Sequence, residues 1–284
     1  MSETQAASSG ASPDMHEVRD RLSMIRHKVI VLSGKGGVGK STVAVNLAMG
    51  LLLQGQYVGL LDVDIHGPSV PTMLDLHTGS VEPMGNAILP ASVGALKVMS
   101  IGLLLPRDDD AVIWRGPRKY AAIKQFIRDT EWGALDYLIV DAPPGTGDEP
   151  LSVCQLIEGA DGAVIVTTPQ EVALAAVRRS ISFCRTMSLP VLGVVENMSG
   201  FVCPKCGEVT DIFQSRGGER MAQEMGVPFL GRIPIDPRIG QSGDAGEPVV
   251  ASDEGGPGAE AIGRIVAGVQ EAVDRDRGEP GSVT

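Results

Sequence analysis

Short apolar runs recur along this chain, and segments with helical periodicity fill the gaps between them. The runs are Lys28–Ser33, Tyr57–Asp62, Leu96–Ile101, Tyr137–Asp141, Gly162–Thr167, Val191–Glu196 and Phe229–Ile233. They are apolar throughout instead of alternating, as expected of parallel strands covered on both faces. Between them, Ser41–Gln54 places Val43, Leu47 and Leu51 on one helical face, and Lys119–Arg128, Glu171–Met187 and Ala259–Val273 read as further helices. Strand alternating with helix implies right-handed crossovers and a doubly wound, mostly parallel α/β sheet flanked by helices. In such sheets ligands gather at the carboxyl ends of the strands.

The pattern is weak elsewhere. Ser69–Ala95 and Leu103–Pro117 carry several Pro and Gly and predict no element. Residues 1–27 read as a polar tail with a short helix over His16–Arg26, residues 28–274 as one domain, and residues 275–284 as a flexible polar tail. A length of 284 residues suits a single core with tails.

Composition narrows the class of partner. Hydrophobic residues make up 43% and charged residues 21%, ordinary for a globular chain. The net charge of -11 disfavours nucleic acid and anionic lipid as partners. No apolar run reaches the roughly 18 residues of a membrane span, and no signal segment opens the chain. The expectation is a cytoplasmic protein whose four cysteines, Cys154, Cys184, Cys203 and Cys206, stay reduced.

Gly34-Lys35-Gly36-Gly37-Val38-Gly39-Lys40-Ser41 fits G-x-x-x-x-G-K-[ST] and lies between a strand and a helix, the context in which that spacing cradles phosphate. Backbone N–H groups and the helix N-terminus face the phosphates, Lys40 reaches the β/γ-phosphates, and the Ser41 hydroxyl suits Mg²⁺, with Thr42 completing the loop. Asp141 ends a strand and suits a Mg²⁺ role through water. After it, Pro143, Pro144, Gly145 and Gly147 read as a switch loop, stiff at the prolines and free to flip at the glycines. Asp62-Val63-Asp64-Ile65-His66-Gly67-Pro68-Ser69 follows another strand and supplies Asp62 as a candidate for the Mg²⁺ shell and Asp64 as a candidate near the reacting phosphate.

The early lysine makes the loop specific. K-G-G-x-G-K-[ST] resembles the deviant Walker A group, which includes the nitrogenase iron protein, arsenite-pump ATPases and the MinD/ParA proteins. The resemblance implies a nucleotide-sandwich homodimer in which Lys35 reaches the partner's ATP and Asp64 orients the attacking water. Related ATPases contact the base with an Asn and a Pro-x-Asp loop, which map onto Asn197 and onto Pro234 and Asp236.

Cys203-Pro204-Lys205-Cys206-Gly207 is a knuckle whose spacing aims two thiolates at one metal, carried on a loop of about 198–214. A tetrahedral or cluster site wants four ligands, and one knuckle gives two. Cys154 and Cys184 stand alone in helical patterns and read as small buried hydrophobes. Two knuckles meeting at a twofold axis supply four thiolates, enough for one shared [4Fe–4S] cluster.

G-K-G-G-V-G-K-S, D-V-D-I-H-G-P-S, D-A-P-P-G-T-G-D, E-N-M-S and C-P-K-C-G occur in that order. Together they resemble the Mrp/ApbC iron–sulfur cluster carrier ATPases over about Val29–Val273. The resemblance implies a homodimeric, slowly hydrolysing ATPase with ATP, Mg²⁺ and a bridging [4Fe–4S] cluster. It implies apo iron–sulfur proteins as clients and scaffold proteins as cluster donors. Residues 1–27 are too few for the extra N-terminal domain of many bacterial relatives and lack the N-terminal cysteines of some eukaryotic ones. Three other readings share parts of the pattern. They are an ATPase switch with a structural zinc at the knuckle, a ParA/MinD-type positioning ATPase, and a redox ATPase like the nitrogenase iron protein. The positioning reading wants a basic face or an amphipathic tail, and the redox reading wants widely separated cysteines.

Overall fold

The computed structural model describes residues 13–65, 67–104, 116–203, 205–252 and 255–278. His66, Pro204, most of Leu103–Pro117 and the outer parts of both tails lie outside the described residues.

The elements follow in order: α1 (Pro13–Ser23), β1 (Ile25–Ser33), α2 (Lys40–Leu53), β2 (Val58–Asp62), α3 (Val70–Met73), β3 (Glu82–Met84), β4 (Ala87–Leu89), β5 (Ala91–Val93) and β6 (Leu96–Ser100). Then come α4 (Gly116–Asp129), β7 (Leu135–Asp141), α5 (Asp148–Leu156), β8 (Gly162–Thr167), α6 (Glu171–Thr186) and β9 (Val191–Glu196). The chain finishes with β10 (Phe201–Val202), β11 (Val209–Thr210), α7 (Gly217–Glu224), β12 (Phe229–Arg232), α8 (Pro237–Asp244) and α9 (Pro257–Gly278).

The main sheet runs β12–β9–β8–β1–β7–β2–β6–β5 and is parallel except for β5, which pairs antiparallel with β6. It is the doubly wound sheet that the apolar runs predict. Alternate residues of each strand feed two cores. Ile30, Leu32, Leu61 and Val140 join the side covered by α1, α4, α5, α6 and α7. Val29, Val31, Leu60 and Ile139 join the side covered by α2 and α9. Both faces are therefore dry, which is why the strands carry no polar alternation. Gly50 lets the two helices of the second side approach, since a Cβ there would meet Val266 at 2.7 Å.

Four boundaries differ from the sequence reading. β1 begins at Ile25, inside the stretch read as tail, because Ile25 pairs with Leu135 and His27 with Tyr137. Polar His27 is buried there: its ring lies 4.9 Å from that of Tyr137, and its Nδ1 lies 3.3 Å from Asp161. The N-terminal helix starts earlier and ends at Ser23; it is docked through Val18 and Leu22 and tied to α4 by Asp14–Lys124 at 2.7 Å. Ser69–Ala95 holds α3 and the three-residue strands β3, β4 and β5, too short to show a hydrophobic period. The last helix runs beyond Val273 through a charged turn that the apolar period cannot register. Among the described residues no helix is long and apolar enough to cross a membrane.

Candidate functional site: a phosphate cradle and a cysteine hairpin

β1 ends at Ser33, and the chain turns through residues 34–39 into α2. Gly34 packs so tightly on α6 that a Cβ would lie 2.5 Å from the Ala176 backbone. Gly37 and Gly39 adopt φ of 76° and 81°, the left-handed region where other residues are strained. A Cβ at Gly36 or Gly37 would meet nothing within 4 Å, so the loop opens toward a cleft of about 220 Å³. No side chain caps the start of α2. Its first N–H groups and the positive end of its dipole are left for an anion. The cradle fits a polyphosphate.

Asp62 and Asp141 end neighbouring strands in register. The Lys40 ammonium lies 2.6 Å from Asp141 Oδ1 and 3.4 Å from Asp64 Oδ2. Burial opposes the Lys40 charge, but Asp141, Asp64 and Asp62 outweigh it and hold its pKa above the ordinary value. Burial pushes the Asp141 carboxyl up, against the pull of Lys40. Burial, with the Asp141 charge beside it, pushes Asp62 up to about 7. Asp62 accepts the Asp64 backbone N–H at 3.0 Å and the Ser100 hydroxyl at 2.8 Å, so it shapes the loop that presents Asp64. Asp141 Oδ2 is buried and has no hydrogen-bond partner. One ammonium among three carboxylates, with an orphaned oxygen, fits a divalent cation. Asp141 and Ser41 are the residues to hold it, and Asp62 has its oxygens engaged elsewhere.

The switch residues border the same cleft. Gly145, at φ 97°, donates its N–H to the Ser33 carbonyl at 2.8 Å, and Pro144 lines the cleft. Pro143 precedes it, and Gly147 leads extended into α5. Lys35 is half-buried and makes no ion pair among the described residues.

The residues expected at the base are engaged locally. Asn197, at the end of β9, donates its side-chain amide to the Val38 carbonyl at 2.9 Å. A Cβ on Gly39 would collide with that amide nitrogen. Asp236 caps α8 and holds Arg238 through Nε at 2.9 Å and Nη2 at 2.8 Å, and also accepts from Gly258 N–H at 3.2 Å. Pro234 and Asp236 line an apolar hollow of about 430 Å³ with Val202 and Pro257.

The cysteines sit on the β10–β11 hairpin. Gly207 turns with φ 74° and donates to the Cys203 carbonyl at 2.8 Å. Backbone N–H groups of Lys205 and Cys206, and the Cys206 side chain, hold the Cys203 thiol below its usual pKa. Cys206 is exposed. Cys154 and Cys184 are different: burial pushes them up to about 11 and about 12, as inert thiols of a core. No group of three or more His, Cys, Asp and Glu that could hold a metal occurs among the described residues.

In the sequence Glu196 marks only the end of the apolar run that leads, through Asn197, into the cysteine loop; its side-chain partners come from the fold. Its carboxylate is fully buried and accepts the Ser199 hydroxyl at 2.5 Å, the Arg216 N–H at 3.1 Å and the Gly218 N–H. A charged residue ending an apolar strand is the signal that marks it.

Comparison with known proteins identifies the family and the fold. The family model described as ParA: NUBPL iron-transfer P-loop NTPase matches residues 24–270. An iron–sulfur cluster carrier protein of Methanocaldococcus jannaschii is 50% identical over 261 residues, 91% of this chain and 89% of that protein. A nucleotide-binding protein of Archaeoglobus fulgidus, solved with ADP and with Co found by PIXE, is 40% identical, with a TM-score of 0.73 over 82% of this chain and 91% of that one. The cell division ATPase MinD of Pyrococcus furiosus, at 23% identity and TM-score 0.62 over 86% of this chain and 98% of that one, shares the fold.

Proposed function

The chain belongs to the NUBPL iron-transfer P-loop NTPase family, and from that premise we propose that it is an ATP-hydrolysing homodimer that carries a bridging [4Fe–4S] cluster to apoproteins. The observation that carries the reading is the knuckle. It presents two thiols at the surface with N–H groups directed at one sulfur, and a cluster needs twice as many ligands. A second copy supplies the other two through the same surface. The cluster is cargo, taken from a scaffold or donor protein and released to a client.

ATP binds with its phosphates on the Gly34–Thr42 loop, held by Gly36, Gly37, Val38, Gly39 and Lys40. Its base lies toward Asn197, Pro234 and the hollow by Asp236. Lys35 of each copy reaches the other's nucleotide and steadies charge on the γ-phosphoryl group. Asp64 orients the attacking water, and the loop from Pro143 to Gly147 responds to loss of the γ-phosphate. Mg²⁺, held by Ser41 and Asp141, would neutralise phosphate charge when bound. A net charge of -11 favours protein partners over nucleic acid or an anionic membrane surface, and cytoplasmic clients fit the reduced thiols that the carrier reading needs.

Anaerobic reconstitution with iron and sulfide tests the reading. The wild type is expected to take up about four iron and four sulfide per dimer. Cys203→Ser and Cys206→Ser are expected to lose them, together with transfer to an apo-enzyme. A monomer whose iron content ignores both substitutions sinks the proposal. Two zinc per dimer without labile sulfide turns the knuckle into a structural zinc site.

A further inference from the structure

Glu196 and Asn197 are adjacent, and their side chains hold different parts of the molecule. Asn197 holds the phosphate loop through Val38. Glu196 holds the cysteine insertion at both ends: Ser199 where it leaves β9, and Arg216 and Gly218 where it returns into α7. The first turn of α7 has no slack. A Cβ on Gly217 would meet the Pro169 carbonyl at 2.6 Å, and one on Gly218 would meet Glu196 at 2.9 Å.

The same hinges carry backbone strain. Met198, Gln214 and Arg216 adopt φ of 55°, 69° and 63° without being glycine. Such conformations persist only where surrounding contacts enforce them. Of these residues, Arg216 is held directly by a buried carboxylate, Glu196, which receives three donors, one of them from Ser199 next to Met198. The Arg232 guanidinium is a more distant neighbour at 3.9 Å. The backbone adds two ties, Ser199 N–H to Ile233 at 2.9 Å and Ile235 N–H to Gly200 at 2.7 Å.

We infer that Glu196 is the positioning residue of the cysteine pair, and that the Glu196–Asn197 dipeptide is the link through which the nucleotide site sets the exposure of Cys203 and Cys206. A shift of the phosphate loop is passed from Val38 to Asn197. The peptide bond to Glu196 passes it on to both ends of the insertion. The hairpin then moves as a unit because one carboxylate closes it. The inference rests on the proposed nucleotide site and does not depend on which metal the thiols hold.

Thiol labelling of the metal-free, full-length protein tests it. Cys203 and Cys206 are labelled with a maleimide and read by peptide mass spectrometry, with ADP–Mg²⁺ or a non-hydrolysable ATP analogue with Mg²⁺. The wild type is expected to show labelling rates at least about fivefold apart in the two states, the low end of usual coupling between sites. Glu196→Gln turns an N–H₂ toward the Gly218 N–H and is expected to bring the ratio close to one while nucleotide still binds. Ser199→Ala removes one donor, keeps the carboxylate, and is expected to reduce the ratio. It decides the matter if Glu196→Gln does not fold. A wild-type ratio of one overturns the inference, as does the wild-type ratio persisting in whichever variants fold. If labelling follows nucleotide as described but no cluster can be reconstituted, the carrier reading fails and the link stands.

Discussion

Asn197 supports the phosphate loop from beneath, its amide nitrogen 2.9 Å from the Val38 carbonyl. Asn197→Ala leaves that buried carbonyl without its side-chain donor, at a cost of about 1–3 kcal/mol. The expected result is a lower urea midpoint and weaker ADP binding by calorimetry. Gly39→Ala drives a methyl group into the same amide at a left-handed position and is expected to abolish ADP binding. Unchanged binding in both variants would remove Asn197 from the site.

The buried acidic pair predicts a pH dependence with a definite sign. Burial, with the Asp141 charge beside it, pushes the Asp62 carboxyl from 3.8 up to about 7 in the fold. The folded state therefore holds a proton that the unfolded chain has released. This contribution is complete below about 3.8 and is lost as pH rises to about 7. Asp62→Asn keeps an acceptor for the Asp64 N–H and carries no charge. In nucleotide-free protein with EDTA, its stability relative to wild type is expected to rise between pH 5 and pH 8 by on the order of 2–3 kcal/mol. Urea titrations across that range check it. A difference that stays flat or falls with pH contradicts it.

The four thiols divide into two classes. Cys203 is activated by N–H groups and Cys206 is exposed, whereas Cys154 and Cys184 are raised by burial. Iodoacetamide at neutral pH is expected to modify Cys203 and Cys206 within minutes and to spare the other two until the protein unfolds. Cys184→Ala is expected to cost about 1 kcal/mol as a small cavity and to leave iron uptake unchanged.

Lys35 makes no ion pair among the described residues, so Lys35→Ala is expected to change stability by less than about 0.5 kcal/mol. ATP hydrolysis is expected to fall by roughly 10³-fold or more, as when a cation donated in trans is lost. ADP affinity of the isolated chain is expected to change little. Steady-state turnover beside equilibrium binding separates the two effects.

How much of this the sequence reveals depends on how far apart the interacting residues lie. The phosphate loop is legible because its function is contained in eight consecutive residues. The buried strands are legible because both faces are dry. The short helices are not. α8 buries no residue fully and so has no apolar stripe to read. The two-residue strands of the cysteine hairpin are invisible to any period. The work of Glu196 is hidden because two of its donors come from residues 20 and 22 positions away. Asp62 and Asp236 show the converse. Their residue types fit Mg²⁺ and base contacts, and only the fold reveals the Ser100, Asp64 and Arg238 groups that occupy their oxygens.

The two borders of the main sheet limit how copies of this chain can meet. One border is the three-residue β5, and the other is β12, four residues long with a register slip between Phe229 and Gly231. Neither offers a long, flat row of free amides and carbonyls on which a neighbouring chain could extend the ladder. Growth into fibres by edge addition is disfavoured, and self-association is left to side chains and loops, where an isologous twofold contact is complete with two copies.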